Sequence, residues 1–198
     1  MVATEPLSDS QWQEIGLANR ELFADYRHLI IYGQRTADNR IAFGGRGAPY
    51  HFGSSISPEF DRHAGVHAGI KTVVKELLPQ LGDVKFTHEW GGPLAIPRDW
   101  YPSIHVTDGI ATAGGYVGDG VATSALAGHT LAELLTGQDT ERTRLPWVNR
   151  MSPKWEVEPL RWIGANAGLR MMTVADIEER VTNRPSKLAA IFDKVTGP

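Results

Sequence analysis

The segment GGYVGDGV at 114–121 is preceded by the alternating stretch IATA at 110–113 and followed by a long run of small and apolar residues to Leu135. A backbone reading this way must pass from extended to helical within a few residues, and glycine allows the positive φ values that such a turn needs. A strand, a glycine turn and a helix are therefore expected in that order. The first-turn N–H groups of the helix have no intrahelical partner, and the helix dipole is positive there. An acceptor that gains negative charge would be stabilised at that end by ~0.3–2 kcal/mol. Glycines also let a flat ring approach the backbone closely. A plainer reading stands beside this one: the turn needs residues of positive φ, and the helix belongs to the core.

Two phosphate-binding readings fail. The dinucleotide fingerprint needs a third glycine after Gly118 and Gly120, and position 123 is Thr; the βαβ unit and the later acidic residue are missing too. A P-loop needs a Gly-Lys-Ser/Thr ending, and none follows.

Before this motif the chain reads as short strands and helices. Ser10 is placed to cap a short helix from Gln11 to Gly16, with Gln13 completing the pattern. Residues 27–33 and 40–44 read as two strands joined by turn chemistry at 36–39. Pro58 opens a helical stretch in which Val66, Ile70, Val73, Val74 and Leu77 share one face, and Pro79 closes it. Residues 83–90 read as a strand, and a second hairpin pairs 104–106 with 110–113 across Thr107-Asp108-Gly109. From 138 onward the chain reads as mostly helical with prolines at 146, 153, 159 and 185, and Thr173 and Ser186 are placed as N-caps. Strands and helices in no regular βαβ alternation predict an α+β fold.

The 198 residues suit one domain or one and a half. A formal net charge of −3 offers no basic footprint for nucleic acid or an anionic membrane. The chain has no cysteine, which excludes disulfides, thiolate zinc sites and a cysteine-linked flavin and agrees with a cytoplasmic place. Its first residues carry neither a basic start nor an apolar run, and no window approaches the ~20 apolar residues of a membrane span.

Candidate chemistry is sparse. His63 and His67 lie four apart on the amphipathic helix, but without HExxH or a carboxylate at ligand spacing they read as solvated helix-face residues, so no metal is expected. No G-x-S-x-G elbow is present. Arg46 stands in a glycine loop followed by Tyr50 and Phe52, and Arg98 stands just before Trp100 and Tyr101. An arginine beside aromatic rings suits a carboxylate, or a cationic substrate flanked by the rings. A surface ion pair, such as Arg98 with Asp99, suits the same residues equally.

The order of these features carries more than any one of them. It runs FGGRG at 43–47, a helix ending LLP at 77–79, HEWGGP at 88–93, IPRDW at 96–100, a hairpin, then GGYVGDGV and LAGHTLAELLTG at 126–137. This resembles the C-terminal half of the FAD-dependent amine and amino-acid oxidoreductases. That family includes D-amino acid oxidase, glycine oxidase and sarcosine oxidase, with gamma-glutamylputrescine oxidoreductase-like bacterial members nearest in look. The resemblance covers about residues 1–137, and the tail with LPWV at 145–148 and EPLRW at 158–162 looks like an extension of that subgroup.

The resemblance implies an antiparallel substrate-binding sheet over 1–108, the returning strand, glycine turn and helix of an FAD domain over 109–137, and a Pro- and Trp-containing helical tail over 138–198. It implies that Gly115, Tyr116, Val117, Gly118, Asp119, Gly120 and Val121 meet the pyrimidine end of the flavin ring. It implies that Arg46 or Arg98 binds a small amine or amino-acid substrate, with Tyr50, Trp90 and Trp100 as walls. The reaction implied is oxidation of a C–N bond by hydride transfer to flavin, with no acid or base residue named. The family's N-terminal Rossmann half, which holds the ADP part of FAD, is not in this chain, and Met1 falls where relatives look mid-strand. The FAD site is thus expected to be incomplete, and three readings stay open: a truncated gene product, a mis-called start, or one subunit of a split enzyme with an N-terminal FAD-domain polypeptide as partner. The alternative is a truncated, non-catalytic remnant or binding module.

Overall fold

The computed structural model describes residues 1–196. They form a mixed helix and antiparallel-sheet fold, in two compact units: Met1–Gly92 together with the segment from Glu158 onward, and Pro93–Val157. These units follow contact density, whereas the division at 108 and 137 follows expected roles.

The first unit is built on a five-stranded sheet of order β2-β3-β4-β1-β5. Its strands are β1 Val2–Thr4, β2 Phe23–Ala24, β3 Ile31–Arg35, β4 Ile41–Gly45 and β5 Phe86–Glu89. The expected hairpin of β3 and β4 is present, although β3 begins at Ile31 and not at Arg27. Alternation in β3 buries Ile31 and leaves Tyr32 outside, as the two-residue side-chain period requires. β1 lies between β4 and β5, antiparallel to both, and all three of its residues are buried. Its polar member, Thr4, is satisfied: Thr4 Oγ1 accepts from the Ile41 N–H at 3.0 Å, and its carbonyl accepts from Arg40 at 2.8 Å.

Helix α1 Asp9–Ile15 starts at Ser8 and not at Ser10. Both serines begin an S-x-x-Q pattern. In the observed register the Ser8 N–H donates to Gln11 Oε1 at 2.9 Å, and Trp12 is buried with its indole N–H on the Asn39 carbonyl at 3.2 Å. Residues Pro58–Asp61 form a separate 3₁₀ turn, and α2 Ala64–Leu77 begins only after it, capped by His63. The buried face of α2 is His67, Ile70 and Val74, while Leu77 is exposed. The core joins Ile70 and Val74 to Val2, Trp12, Ile41, Phe43 and Leu81. Truncating Phe43 to Ala in such a setting costs about 3–5 kcal/mol.

The second unit holds the hairpin β6 Ser103–Thr107 and β7 Ile110–Gly114. Asp108 and Gly109 both have positive φ, 51° and 78°, the geometry of a tight two-residue turn. Helix α3 Gly120–Leu135 follows, and the chain leaves it through Gly137 at φ 69°. Ile104, Ala127 and Trp147 form this unit's core, and the Ile104 N–H donates to the Trp147 carbonyl at 2.9 Å.

The tail is mostly helical, with nearly all of its helix after Pro159. Arg142–Arg144 forms one 3₁₀ turn, and residues 151–157 have no regular structure. Then α4 Leu160–Thr182 runs unbroken through Thr173, whose hydroxyl donates to the Leu169 carbonyl at 2.9 Å, so Thr173 is no N-cap. Ser186 is one: its Oγ accepts from the Ala189 N–H at 3.1 Å at the head of α5 Lys187–Thr196. Among the described residues no helix is long and apolar enough to cross a membrane.

Candidate functional site

In the first unit the candidates gather at one end of the sheet. β4 and β5 both run antiparallel to β1, so both finish at the end where Val2 pairs with Phe43 and Glu89. Gly45 and Arg46 leave β4 there, and Trp90 leaves β5 there, two strand spacings away, about 10 Å. The Arg46 N–H donates to the Ile30 carbonyl at 3.1 Å. The Trp90 N–H donates to the Met1 carbonyl at 3.0 Å, and the residue is 40% exposed. The glycine after it is needed: a Cβ on Gly91 would sit 2.7 Å from the Asp61 carbonyl oxygen, a backbone atom that cannot swing away.

His67 is buried at the same end, not solvated. Its Nε2 lies 3.3 Å from the Trp90 carbonyl and its Nδ1 lies 3.2 Å from Glu89 Oε2. Lys71 also pairs with Glu89, and its hydrogen bond is the main reason that this carboxyl sits below the usual range. Among the described residues no cluster of three metal-binding side chains exists.

Tyr50 stands farther along the loop after β4, and its hydroxyl is engaged. It donates to Glu158 Oε1 at 2.8 Å, and the Gly53 N–H donates to the same oxygen at 2.9 Å. Glu158 also accepts from Arg161 Nε at 3.1 Å and from the Trp162 N–H at 3.0 Å. Burial pushes the Glu158 carboxyl up, but these donors outweigh it and hold the group below its ordinary range. Asn166 completes the contact, donating to the Tyr50 carbonyl at 3.0 Å and accepting from its N–H at 3.1 Å.

In the second unit the IPRDW segment packs on the start of the glycine turn. Gly115 has φ 78°, and a Cβ on it would fall 2.5 Å from Pro97 Cγ. Val117 at φ 53° and Gly118 at φ 97° continue the turn, and the Asp119 N–H donates to the Tyr116 carbonyl at 2.9 Å. Tyr116 packs on the Ile104 cluster and Val117 is buried, whereas Gly118, Asp119 and Val121 are exposed. The N-cap of α3 is Asp119, and its side chain makes no capping bond, so the first-turn N–H groups stand at an open helix end.

Arg98 pairs with Glu156, not with Asp99: its Nε lies 3.1 and 3.2 Å from the two carboxylate oxygens. Its guanidinium also lies 5.3 Å from the Trp155 ring centre, and the Trp155 indole donates to the Ile96 carbonyl at 2.8 Å. Asp99 instead takes Arg150 at 2.8 Å. Trp100 has φ 55° and is half exposed. Sequence reasoning missed Glu156 and Glu158. The WEVE run at 155–158 marks them only as two acids beside a tryptophan, and nothing local says which basic or hydroxyl group they meet.

Comparison with known proteins adds a family. The family model described as FAD dependent oxidoreductase (DAO) matches residues 1–134. The chain is similar to the probable oxidoreductase OrdL of Rhizobium meliloti (strain 1021), 34% identical over 126 residues, covering 63% of this chain and 27% of that protein. It is similar to gamma-glutamylputrescine oxidoreductase of Escherichia coli (strain K12), 33% identical over 146 residues, covering 72% of this chain and 31% of that protein. Among solved structures, L-proline dehydrogenase from P. horikoshii aligns with a TM-score of 0.56 at 19% identity, over 71% of this chain and 35% of that one. That likeness concerns the fold alone. The chain spans less than a third of the length of these curated relatives.

Proposed function

The chain belongs to the FAD dependent oxidoreductase (DAO) family, and from that premise we propose that it is the C-terminal part of an enzyme that oxidises a C–N bond of a small amine or amino acid. The observation that carries this reading is the passage from β7 through the Gly115–Gly118 turn to the uncapped start of α3, inside the family-matched residues. Residues 115–121 fit a flavin ring's carbonyl edge: backbone N–H donors stand at an open helix end, and the exposed positions are Gly118, Asp119 and Val121. Those donors favour an edge that gains negative charge by ~0.3–2 kcal/mol.

When bound, FAD supplies the two-electron acceptor: hydride leaves the carbon beside a neutral amine, the imine hydrolyses in water, and oxygen or another acceptor takes the electrons onward. The rest is positioning by this chain. Arg46 offers a cation for a substrate carboxylate at the end of the sheet, and Trp90 offers a ring face there. Trp100 offers a second face in its own unit. Tyr50 and Arg98 act with Glu158 and Glu156, which hold them in place. One relative is named for gamma-glutamylputrescine, an amine, which supports this substrate class.

The nucleotide half of the site is assigned to an N-terminal FAD domain, which a partner polypeptide would supply to residues 1–198. The test is reconstitution. The purified chain is mixed with FAD, alone and with the part of the Rhizobium relative outside the matched span, and flavin absorbance is followed through gel filtration. Flavin retained only with the partner, and bleached anaerobically by an amine, is the expected result. Flavin retained in neither case sinks the ring-contacting role. The second reading is a binding module without turnover; retained flavin that no amine bleaches supports it.

A further inference from the structure

Residues 147–156 lie beyond the family-matched stretch 1–134, and within the second unit they close over the segment that leads into β6. Ile104 is fully buried, and both of its backbone groups are taken by this part of the tail. Its N–H donates to the Trp147 carbonyl at 2.9 Å, and its carbonyl accepts from the Asn149 N–H at 2.7 Å. Those two bonds fix the register of the tail. Asn149 then turns the chain at φ 58°, a conformation that asparagine tolerates better than most residues. The residues that follow grip the IPRDWY stretch at 96–101. Arg150 Nη2 and Nε lie 2.8 and 3.2 Å from Asp99 Oδ2, and the guanidinium lies 4.3 Å from the Tyr101 ring centre. Trp155 holds the Ile96 carbonyl, and Glu156 holds Arg98.

The gripped stretch is a turn with a proline at each end. The Trp100 N–H donates to the Pro97 carbonyl at 3.0 Å, so Arg98 and Asp99 are the two central residues. Pro97 and Pro102 both face Gly115: a Cβ built there would lie 2.5 Å from Pro97 Cγ and 3.5 Å from the Pro102 Cα. Gly115 opens the turn that ends at the head of α3, where the Asp119 N–H is held by the Tyr116 carbonyl at 2.9 Å. A path of packed atoms thus runs from Arg150 through Asp99 and Pro97 to Gly115. Of the two ion pairs on the turn, Arg150–Asp99 is the stronger brace. The Asp99 side chain is 19% exposed against 46% for Glu156, so less of its attraction is lost to water. Removing Arg150 would leave Asp99 a largely buried carboxylate without its cation.

We propose that Arg150 is a positioning residue for the glycine turn: through Asp99 it holds Pro97 and Pro102 on Gly115, and so fixes where the backbone N–H groups at the head of α3 point. Its bearing on a flavin rests on the ring-contacting role proposed for residues 115–121. Donors favour a charged ring edge only while they aim at it, since hydrogen bonds weaken steeply off line.

The test uses the full chain and two variants. Arg150→Met keeps an apolar stem over Tyr101 and removes the charge, whereas Arg150→Lys keeps the charge. Amide hydrogen exchange, read by NMR on the free chain, compares Asp119 in the turn with Thr130 in the middle of α3. Arg150→Met should speed exchange at Asp119 about tenfold or more with Thr130 unchanged, and Arg150→Lys should recover most of the protection. Unchanged exchange at Asp119, equal acceleration at both amides, or a Lys variant no better protected than the Met variant overturns the positioning role. Flavin supplies the second arm. With FAD and the part of the Rhizobium relative outside the matched span, Arg150→Met should raise the flavin dissociation constant about threefold or more. An unchanged constant beside faster exchange at Asp119 overturns the link from Arg150 to the flavin. A wild-type chain that retains no flavin sinks the ring-contacting role alone, and the exchange rates still decide whether Arg150 shapes the turn.

Discussion

Two adjacent glycines at the end of β7 should respond in opposite ways to alanine. At Gly115 the φ of 78° lies in the left-handed region, which costs an L-residue roughly 1–2 kcal/mol. The new Cβ would also stand 2.5 Å from Pro97 Cγ, 3.2 Å from Pro97 Cδ and 3.5 Å from the Pro102 Cα. A pyrrolidine ring cannot rotate out of the way as a flexible side chain would, so overpacking adds about 1–3 kcal/mol. Loss of unfolded-chain entropy returns about 0.4–1 kcal/mol, which leaves a net destabilisation of about 2–4 kcal/mol. At Gly114 no atom lies within 4 Å of the built Cβ, and the backbone does not have positive φ. Gly114→Ala should therefore fall within about 0.5 kcal/mol of wild type or gain slightly. Urea unfolding followed by tryptophan emission and circular dichroism measures both, with the m-value checked for constancy. Equal midpoints for the two variants would refute the claim that backbone conformation and Pro97, rather than glycine content, shape this turn.

Three further outcomes are expected. Ser186→Ala should cost about 1 kcal/mol by uncapping α5, whereas Thr173→Ala, inside α4, should be neutral or slightly stabilising; urea midpoints separate them. Because the folded Glu158 carboxyl is held below its ordinary value of 4.5, its contribution is present above that value and is lost as pH falls through the lowered one. Glu158→Gln should thus flatten the acid side of stability against pH, and an unchanged acid limb would count against the Tyr50–Gly53–Arg161 cluster. Arg98→Ala breaks a partly exposed pair with Glu156, so stability should change by no more than about 1 kcal/mol. In the reconstituted enzyme the same variant should raise KM with kcat little changed, and an unaltered KM would remove Arg98 from the substrate site.

Several local features were legible because their causes are local. The turn at 36–39, the Asp108-Gly109 hairpin and the Gly120–Leu135 helix all follow from φ preferences and periodicity within a few residues. The errors arose where a distant partner chose between local equivalents. Two S-x-x-Q patterns overlap near residue 10, and burial of Trp12 against Asn39 picks Ser8. Thr173 has a capping side chain, but 13 residues of helix precede it, and its hydroxyl turns back to Leu169 instead. His67 reads as a surface residue by type; packing of the β5 end over α2 buries it and brings Glu89 to it.

The residues by themselves determined the family, through the order FGGRG, HEWGGP, IPRDW and GGYVGDGV, because glycines at required turns and prolines at helix ends keep their spacing whatever surrounds them. They also determined both hairpins and the helix after the glycine turn. Only the tertiary structure decided which charged groups meet: Arg98 with Glu156 across 58 positions, and Tyr50 with Glu158 across 108. An ion pair or a buried hydrogen bond depends on the last few ångströms between side chains, and sequence separation carries no information about that distance.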